Sequence, residues 1–381
     1  MVSSVKRDPM TILTVNAGSS SIRLDGYARG GGGLRHLCGH LAQAAAGDEQ
    51  GLLDELLRRG GIDGVEAIAH RVVHGGGLAP GAHRIDGALE AQIEALVPLA
   101  PLHNPAALAW IRCCRARWPE VPQYALFDTA YFHDLPDIAQ RYALPAELVA
   151  RHGLRRYGFH GLAHEAMWRH ISTVRPDAPA QVISLQLGSG CSITAIRDGR
   201  PIDTSMGYSP LEGLVMATRS GDLDPGLLLH LLRSGTTTLD ELDRLLSQHS
   251  GLLGVSGLSG DMRELLAADD DDARLAVALY CYRARKYIGA YLAALGGADA
   301  IVLGGGVGEH SASIRAAILD GMQWAGIRLD PDANQRANGG HARIDADDSM
   351  VAIHVVAVDE ARLLAEQASF ALTPTTSTKE S

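Results

Sequence analysis

The sequence predicts an α/β fold made of two similar domains, and three observations support this prediction. A chain of 381 residues with 46% hydrophobic and 20% charged residues is long enough, and apolar enough, for two globular domains. Its 43 glycines cluster in turns between apolar runs, where backbone can approach a ligand closely. Residues 15–19 and 185–189 match in order and residue type. We interpret this match as an internal duplication, with two unrelated Gly-Ser hairpins as the alternative.

The chain opens with a predicted hairpin over residues 11–27. Apolar, β-branched residues precede Asn16, a turn of glycine and serines follows it, and an alternating strand pattern resumes at Ile22. Backbone N–H groups and short hydroxyls in such a turn suit phosphate oxygens. No Gly-Lys-Ser/Thr follows, so the turn is not a Walker A loop. A hairpin turn without any ligand is the alternative at this point.

The rest of the first half alternates predicted helices with buried strands. Helices are expected at 50–59, 89–99 and 105–117, and strands at 67–73 and 123–127. The second of these strands carries Asp128 and Thr129 at its end. Prolines and mixed polarity over 135–153 predict a connection between domains.

The same pattern then restarts. Strands are expected at 181–187, 193–196, 301–303 and 351–358, and helices at 275–295 and 361–371. A Gly/Ser turn at 188–192 follows the first of these strands, and a third glycine turn follows Leu303. The last strand ends on Asp359 and Glu360. The polar tail from Thr373 is expected to be disordered.

Charge and cysteine usage exclude several classes of protein. A net charge of −10 without a basic stripe disfavours a nucleic-acid partner. The five cysteines lack CxxC spacing and are odd in number, which fits free thiols in a reducing compartment. No apolar stretch approaches the roughly 18 residues of a membrane span, and Asn16 interrupts the first apolar run too early for a signal peptide. We therefore expect a cytoplasmic protein without nucleic-acid or membrane partners.

Ordered motifs over roughly residues 11 to 365 carry a family resemblance. They include Asn-Ala-Gly-Ser-Ser-Ser at 16–21, Arg-Tyr-Gly-Phe-His-Gly at 156–161 and Thr-Arg-Ser-Gly-Asp-Leu-Asp-Pro at 218–225. The others lie at 70–75, 101–105, 127–130, 203–207, 210–213, 250–256, 261–263 and 306–309. A set of this extent is far more specific than any one glycine turn. With it, the sequence resembles the acetate kinase family, within the superfamily that includes sugar kinases and actin.

The resemblance implies a fold and a reaction. The family fold is a duplicated βββαβαβα unit of the ribonuclease H-like, actin-like ATPase type, with the active site in the cleft between the halves. Residues 1–133 with 362–381 would form the acyl-side domain, and residues 134–361 the nucleotide-side domain. The family transfers the γ-phosphoryl group of ATP to acetate, reversibly, with Mg²⁺, and Mn²⁺ is a second possible ion. A homodimer that acts on acetate or acetyl phosphate and on ATP or ADP is expected.

The matched motif positions imply roles for individual residues. The expected catalytic residues are Arg71, Asp128, His160 and Arg219, and Arg71 is also expected to bind substrate. Two arginines suit phosphoryl transfer because a guanidinium can bind a carboxylate and stabilise phosphoryl oxygens. Asn16 and Glu360 are expected at the metal ion, since oxygen ligands suit a hard octahedral cation. His103, in a matched Leu-His-Asn segment, is a further candidate.

Two larger sets complete the expected site. The small apolar acyl pocket is assigned to Val73, Leu102, Phe159 and Pro210. Because one methylene is worth only about 1–3 kcal/mol of discrimination, propionate is expected as a slower substrate. The nucleotide is expected at Ser21, Arg23, Gln186, Leu187, Gly188, Ser189, Gly190, Asp261, Met262, Arg263, Gly305, Gly306, Val307, Gly308 and His310.

Departures from the family pattern concentrate near the donor phosphates. The family motif His-Leu-Gly-Asn-Gly reads Gln-Leu-Gly-Ser-Gly at 186–190, so an amide that cannot carry charge replaces a histidine. Other departures are Arg23 for lysine, Leu162 and Ala163 for threonine and serine, His310 for asparagine, and Asp359 and Ala361 in the final Asn-Glu-Glu. We therefore expect ordinary acyl chemistry with weaker or altered nucleotide affinity.

Three other functions compete with acetate kinase. They are a kinase for propionate or another short acid, a nucleotide-binding relative that has lost catalysis, and a sugar kinase. Retention of both arginines with Asp128, His160 and Glu360 disfavours a pure binding protein. Two arginines facing an apolar pocket suit a carboxylate better than sugar hydroxyls.

Overall fold

Two sheets with the same strand order organise the described part of the chain. A computed structural model describes residues 10–18, 21–30, 33–43, 47–101, 103–174 and 180–373. These residues divide into two compact units, the first within Met1–His133 and Asp359–Ser381 and the second within Asp134–Val358. The chain thus returns to the first unit before Glu360, earlier than the expected boundary after residue 361. The predicted disordered tail, beyond Thr373, lies outside the described residues.

The first unit begins with three antiparallel strands and continues with alternating helices and strands. Its elements are β1 (Met10–Ala17), β2 (Ser21–Gly30), β3 (Gly33–Gln43), α1 (Glu49–Gly60), β4 (Val65–Val72), β5 (His83–Arg84), α2 (Gly87–Ala95), α3 (Asn104–Arg117) and β6 (Gln123–Phe127). Short 3₁₀ turns lie at Val97–Leu99 and Ala130–Phe132.

The second unit repeats this plan with additional helices. Its first half contains α4 (Asp137–Gln140), α5 (Ala146–His152), α6 (Gly161–Val174), β7 (Gln181–Leu187), β8 (Cys191–Arg197), β9 (Arg200–Thr204), α7 (Pro225–Arg233), α8 (Leu239–Gln248) and α9 (Gly251–Ser256). Its second half contains α10 (Met262–Ala267), α11 (Asp271–Leu295), β10 (Ala300–Gly304), α12 (Gly305–His310), α13 (Ala312–Leu319), a 3₁₀ turn (Gln323–Ala325), α14 (Pro331–Arg336), β11 (Ala342–Arg343) and β12 (Ala352–Val355). The chain then re-enters the first unit with α15 (Glu360–Leu372).

The strand orders confirm the predicted duplicated α/β fold. The described residues form two six-stranded sheets, ordered β3-β2-β1-β4-β6-β5 and β9-β8-β7-β10-β12-β11. In each, the first three strands pair antiparallel, the next two add in parallel, and a short edge strand closes the sheet antiparallel. Residues 15–17 and 185–187 of the matched segments therefore fall on equivalent positions, at the ends of β1 and β7, while Ser19 lies outside the described residues.

Turn chemistry explains the hairpin between β8 and β9. Asp198 and Gly199 have φ values of 50° and 79°, so both lie in the left-handed region. An Asp-Gly pair suits such a turn because its twist matches that of the flanking strands. Gly199 is required for a second reason, since a Cβ there would lie 2.5 Å from the Trp168 ring.

Apolar packing against the first sheet fixes the last helix. α15 packs against β1 and β4, and its residues Leu363, Leu364 and Ala365 are buried. This packing places the first residue of α15, Glu360, beside the polar residues at the ends of those strands. Among the described helices, none has the length and apolar composition that crossing a membrane requires.

Several predicted elements differ from the structure. The segment 135–153, predicted as a connection, contains helices α4 and α5, because Pro136 and Pro145 stand at helix N-termini, where a missing N–H costs nothing. The helix predicted at 89–99 begins at Gly87 and ends at Ala95, before Pro98. The strand predicted at 351–358 spans only Ala352–Val355.

The prediction of a third glycine turn after Leu303 is also wrong. Gly304 ends β10, and Gly305–His310 form helix α12. Gly305 makes this abrupt change of direction with a φ of 75°. A Cβ at Gly305 would lie 2.6 Å from the Leu187 carbonyl oxygen, so close packing as well as backbone conformation requires glycine.

Candidate active site

Three neighbouring parallel strands bring polar residues to one edge of the first sheet. β1 pairs in parallel with β4, and β4 with β6, in a register that places Val15 opposite His70. Asn16 and Arg71 come next on their strands, and Asp128 directly follows β6. In open α/β sheets ligands bind outside the carboxyl ends of the parallel strands, which is where these residues lie.

Arg71 is the centre of a hydrogen-bond network at this edge. Its Nε lies 3.1 and 3.2 Å from the two carboxylate oxygens of Asp128, and its Nη2 donates to Asp128 Oδ2 at 2.7 Å. Its Nη1 donates to Asn16 Oδ1 at 2.9 Å, and Asn16 Nδ2 donates to Glu360 Oε2 at 2.7 Å. Arg71 Nη1 also lies 3.6 Å from Glu360 Oε2. Two carboxylates and an amide therefore orient one guanidinium.

The charges of this network are largely removed from water. The exposed fraction is 13% for the Arg71 side chain, 1% for Asp128 and 14% for Glu360. Burial disfavours the charged guanidinium, but the attraction of Asp128 and Glu360 and the hydrogen bond to Asp128 outweigh burial and raise the pKa of Arg71. Arg71 thus stays a cation. Its N–H groups beyond those used by Asp128 and Asn16 can bind an incoming anion.

The oxygen donors of this network fit a hard divalent cation. Within the described ranges, no hydrogen bond reaches Glu360 Oε1, which leaves one carboxylate oxygen for a ligand role. The described residues contain no cluster of three or more His, Cys, Asp or Glu side chains that could hold a metal ion. A cation here would therefore take few protein ligands and the rest from phosphates and water, which is how Mg²⁺ commonly binds.

In the second unit, His160 lies in strained backbone directly before α6. Its φ of 58° is uncommon for a residue other than glycine, and such strain is concentrated at functional sites. His160 Nδ1 lies 3.0 Å from Ser192 Oγ, which lies 2.8 Å from His164 Nε2. His164 Nδ1 lies 2.8 Å from Ser184 Oγ, and burial lowers the pKa of His164 to about 3. The Ser192 hydroxyl therefore contacts the His160 ring, and the neutral His164 imidazole, which also contacts Ser184, positions that hydroxyl.

Arg219 is a partly buried cation that forms no ion pair with a carboxylate among the described residues. Its Nη1 donates to the Pro210 carbonyl oxygen at 2.9 Å and lies 3.7 Å from Met216 Sδ. Burial lowers the pKa of Arg219. A Cβ on Gly190 would lie 3.4 Å from His160 Nε2 and 3.6 Å from Arg219 Nη1, so both nitrogens face this glycine. A desolvated guanidinium without a carboxylate favours an anionic ligand.

A cavity of about 690 Å³ in the second unit has eight of the predicted nucleotide-binding residues in its walls. These are Gly188, Ser189, Asp261, Met262, Arg263, Gly306, Val307 and His310. The other lining residues are Ala217, Leu252, Gly260, Leu266, Tyr280 and Ser311. The volume suits a nucleoside-sized ligand. A Cβ at Gly306 would meet no atom within 4 Å, so this glycine keeps cavity space open.

The remaining predicted nucleotide-binding residues do not line this cavity. Arg23 pairs with the buried Asp25 at 2.9 Å, and Ser21 begins β2. Gln186 Oε1 is buried and accepts no hydrogen bond from the part of the chain that the structure describes. Leu187 ends β7, Gly190 lies in the turn before β8, and Gly305 and Gly308 belong to helix α12.

Three of the four apolar residues predicted for the acyl pocket are described, and each is at least partly buried. Val73 directly follows β4 and is buried, Phe159 is buried next to His160, and Pro210 is partly buried. Leu102 lies outside the described residues. His103 precedes α3, and its role stays a prediction.

Comparison with known proteins decides the family. Residues 44–366 match the model of the acetokinase family, which is most of the chain. The chain belongs to the acetokinase family. The acetate kinase of Chloroherpeton thalassium is 46% identical over 312 residues, which cover 80% of this chain and 75% of that protein.

Two solved structures resemble this acetokinase-family chain over nearly its full length. The acetate kinase of Porphyromonas gingivalis has a TM-score of 0.84 at 33% identity, covering 96% of this chain and 100% of that chain. A propionate kinase from Francisella tularensis has a TM-score of 0.86 at 33% identity, covering 94% and 98%.

Sequence motifs missed several residues that this acetokinase-family fold brings to the site. Ser192, on β8, contacts His160 and His164, and Ser184, on β7, contacts His164. Only the pairing of these strands reveals the contacts. His164 follows His160 by four residues, a spacing that could have indicated one helix face. Tyr280 reaches the cavity from α11, far away in sequence, and no local signal marks it.

Proposed function

We propose that the protein is an acetate kinase, which transfers the γ-phosphoryl group of ATP to acetate and forms acetyl phosphate and ADP. The observation that carries this proposal is the Arg71 guanidinium, which Asp128 orients beside Asn16 and Glu360 at the ends of parallel strands. Membership of the acetokinase family supports the same reaction. Each unit supplies one set of groups, the arginine–carboxylate network from the first and the cavity with Arg219 from the second.

In the proposed reaction a carboxylate oxygen of acetate attacks the γ-phosphorus in line with the β–γ bridging oxygen. A new O–P bond forms while the bond to the bridging oxygen breaks, the electron pair leaves on ADP, and no proton has to move. Positioning and positive charge are the main requirements of such a transfer. Arg71 binds the acetate carboxylate, Arg219 stabilises charge on the equatorial oxygens, and His160 contacts the transferring group.

Mg²⁺ is the proposed divalent ion, with Mn²⁺ as a possible substitute. Glu360 and Asn16 would hold it, and their oxygen chemistry fits such a cation. When bound, the ion would neutralise phosphate charge. Asp128 is not proposed as a metal ligand, since both of its oxygens already accept hydrogen bonds that orient Arg71.

The proposed substrates are acetate and, more slowly, propionate. Val73 and Phe159, which are apolar and buried, are the residues proposed to contact the methyl group. A propionate kinase is the second candidate, supported by the structural similarity to the Francisella tularensis protein. We further propose that the protein is a cytoplasmic homodimer. We also propose that Gln186, in place of the histidine of the family motif, weakens or alters nucleotide binding.

Trapping of acyl phosphate with hydroxylamine tests the proposal. Purified protein is incubated with Mg²⁺, ATP and hydroxylamine and with acetate, propionate or butyrate, and ADP release is followed with glucose. We expect hydroxamate formation with a higher kcat/KM for acetate than for propionate, and no turnover with glucose. Absence of hydroxamate with every acid would refute the proposed activity, and a higher kcat/KM for propionate would favour the second candidate.

A further inference from the structure

Arg219 lies on a long irregular loop. Residues 205–224, between β9 and α7, form no helix or strand in the described structure, and they carry both Pro210 and Arg219. A catalytic side chain must be held to within about 0.5 Å of its productive position. A loop without secondary structure of its own needs contacts with rigid elements to achieve this.

Asp222 closes the part of this loop that contains Arg219. Gly213 N donates to Asp222 Oδ1 at 2.8 Å, and Asp222 N donates to the Gly213 carbonyl oxygen at 3.0 Å. The segment 213–222 is therefore joined at its base by two hydrogen bonds. Gly213 has a φ of 107°, and a Cβ there would lie 2.7 Å from the Ser205 carbonyl oxygen, so this end of the segment tolerates no side chain.

Helix α11 forms hydrogen bonds with both ends of the segment 213–222. Tyr287 OH donates to Asp222 Oδ2 at 2.7 Å. Arg283 Nη1 donates to the carbonyl oxygens of Gly213 at 3.1 Å and Asp222 at 3.3 Å, and it lies 3.6 Å from Asp222 Oδ2. Arg283 and Tyr287 are four residues apart and share one face of a long helix. Burial, with the charge of Asp222, raises the pKa of Tyr287, so its hydroxyl keeps the donated proton.

We infer that Asp222 is a positioning residue for Arg219, because its carboxylate ties the loop segment 213–222 both to itself and to α11. Asp222 contacts neither substrate in this view and acts only through the loop. The inference rests on the proposed function, in which Arg219 stabilises the transferring phosphoryl group. It predicts that the effect of losing Asp222 depends on Arg219.

A double-mutant cycle tests this dependence. We expect Asp222→Ala to lower kcat by about 30-fold, and Asp222→Asn, which retains an acceptor for Gly213 N, to lower it by less than about threefold. In an Arg219→Lys background, Asp222→Ala should lower kcat by less than about threefold further. Tyr287→Phe should lower kcat by about fivefold in the wild-type background only. If Asp222→Ala does not fold, Tyr287→Phe tests the inference in its place.

Asp224→Ala is the matched control, since Asp224 lies on the same loop and, among the described residues, its side chain serves as the cap of α7, accepting from Gly226 N at 2.8 Å. Its kcat should equal that of the wild type even if its melting temperature falls. Multiplicative losses in the Arg219→Lys background, or normal kcat in both Asp222→Ala and Tyr287→Phe, would overturn the inference. A wild-type protein that forms no acyl phosphate would instead refute the proposed function, so the two failures are distinguishable.

Discussion

Arg71 directs two of its nitrogens at a single carboxylate, that of Asp128, although the two residues are 57 positions apart in the sequence. They meet because β4 and β6 are parallel neighbours with ends at the same edge of the first sheet. Both side chains are nearly closed to solvent. Either charge would therefore be left uncompensated in a poorly solvated place if the other were removed.

Asp128→Asn should impair activity and stability together. The amide cannot accept the paired hydrogen bonds from Arg71, so we expect kcat to fall by about 100-fold or more. Loss of one partner of a buried ion pair should lower the free energy of unfolding by about 3–5 kcal/mol. Hydroxamate kinetics and urea unfolding measure both effects. Asp86→Asn, at an exposed helix cap, makes the same chemical change and should leave both unaltered.

Gln186→His should lower the KM for ATP. The substitution puts the histidine of the resembled family motif at the predicted donor-phosphate site, and a protonated imidazole binds a phosphate more strongly than an amide does. The KM for acetate should stay unchanged because the predicted acyl-pocket residues lie on other segments. Initial rates at varied ATP and fixed acetate measure the effect. An unchanged KM for ATP would contradict the assigned role of Gln186.

Gly306 and Gly305 should respond differently to substitution. A Cβ at Gly306 enters open space, so Gly306→Gln should fold normally but fill part of the cavity and raise the KM for ATP by about tenfold or more. Gly305→Ala should instead destabilise the fold, because its Cβ would lie 2.6 Å from the Leu187 carbonyl oxygen at a positive φ. Calorimetry and nucleotide titration separate the two outcomes. Normal ATP affinity in Gly306→Gln would show that the nucleotide binds elsewhere.

His70 should make the protein less stable as the pH falls from about 6.5 to 4. Burial lowers the pKa of His70 to about 4, although its hydrogen bond with Gln123 at 2.7 Å partly opposes this shift. In that window the unfolded chain binds a proton that the folded chain does not, so the free energy of unfolding falls by about 1.4 kcal/mol per pH unit.

Urea unfolding at pH 6.5 and pH 5 measures this effect of His70. The loss of stability between the two conditions should be about 2 kcal/mol smaller in His70→Gln than in the wild type. His230→Gln, at an exposed site on α7, is the control and should lose as much stability as the wild type. Equal losses in His70→Gln and the wild type would contradict the assignment.

Val73→Ala should widen acid specificity. Val73 is buried and follows Arg71 by two residues, and removing two methyl groups would leave room for a longer acyl chain. We expect the ratio of kcat/KM for propionate to that for acetate to rise by about 10-fold or more, the range expected for one methylene. An unchanged ratio would place the acyl chain away from Val73.

Residue patterns alone predicted much of the fold. The strand runs before Asn16 and Gln186 revealed the duplication, because the alternation of apolar residues and the Gly/Ser turns is local in sequence. The family resemblance, rather than any single pattern, named Arg71, Asp128, His160 and Arg219 as catalytic, and these roles stay predictions. Local signals failed where prolines were interpreted as loop markers, since Pro136 and Pro145 begin helices instead.

Tertiary structure alone decided how these residues interact. The Arg71–Asp128 pair depends on strand order. The His160–Ser192 contact forms because the start of helix α6 lies beside strand β8. Asp222 is held by Tyr287, which lies on a helix distant in sequence. Periodicity and turn chemistry act over a few residues, so the local sequence determines where helices, strands and turns form. Hydrogen bonds and ion pairs between distant residues form only when packing brings those elements together, and this packing orients Arg71.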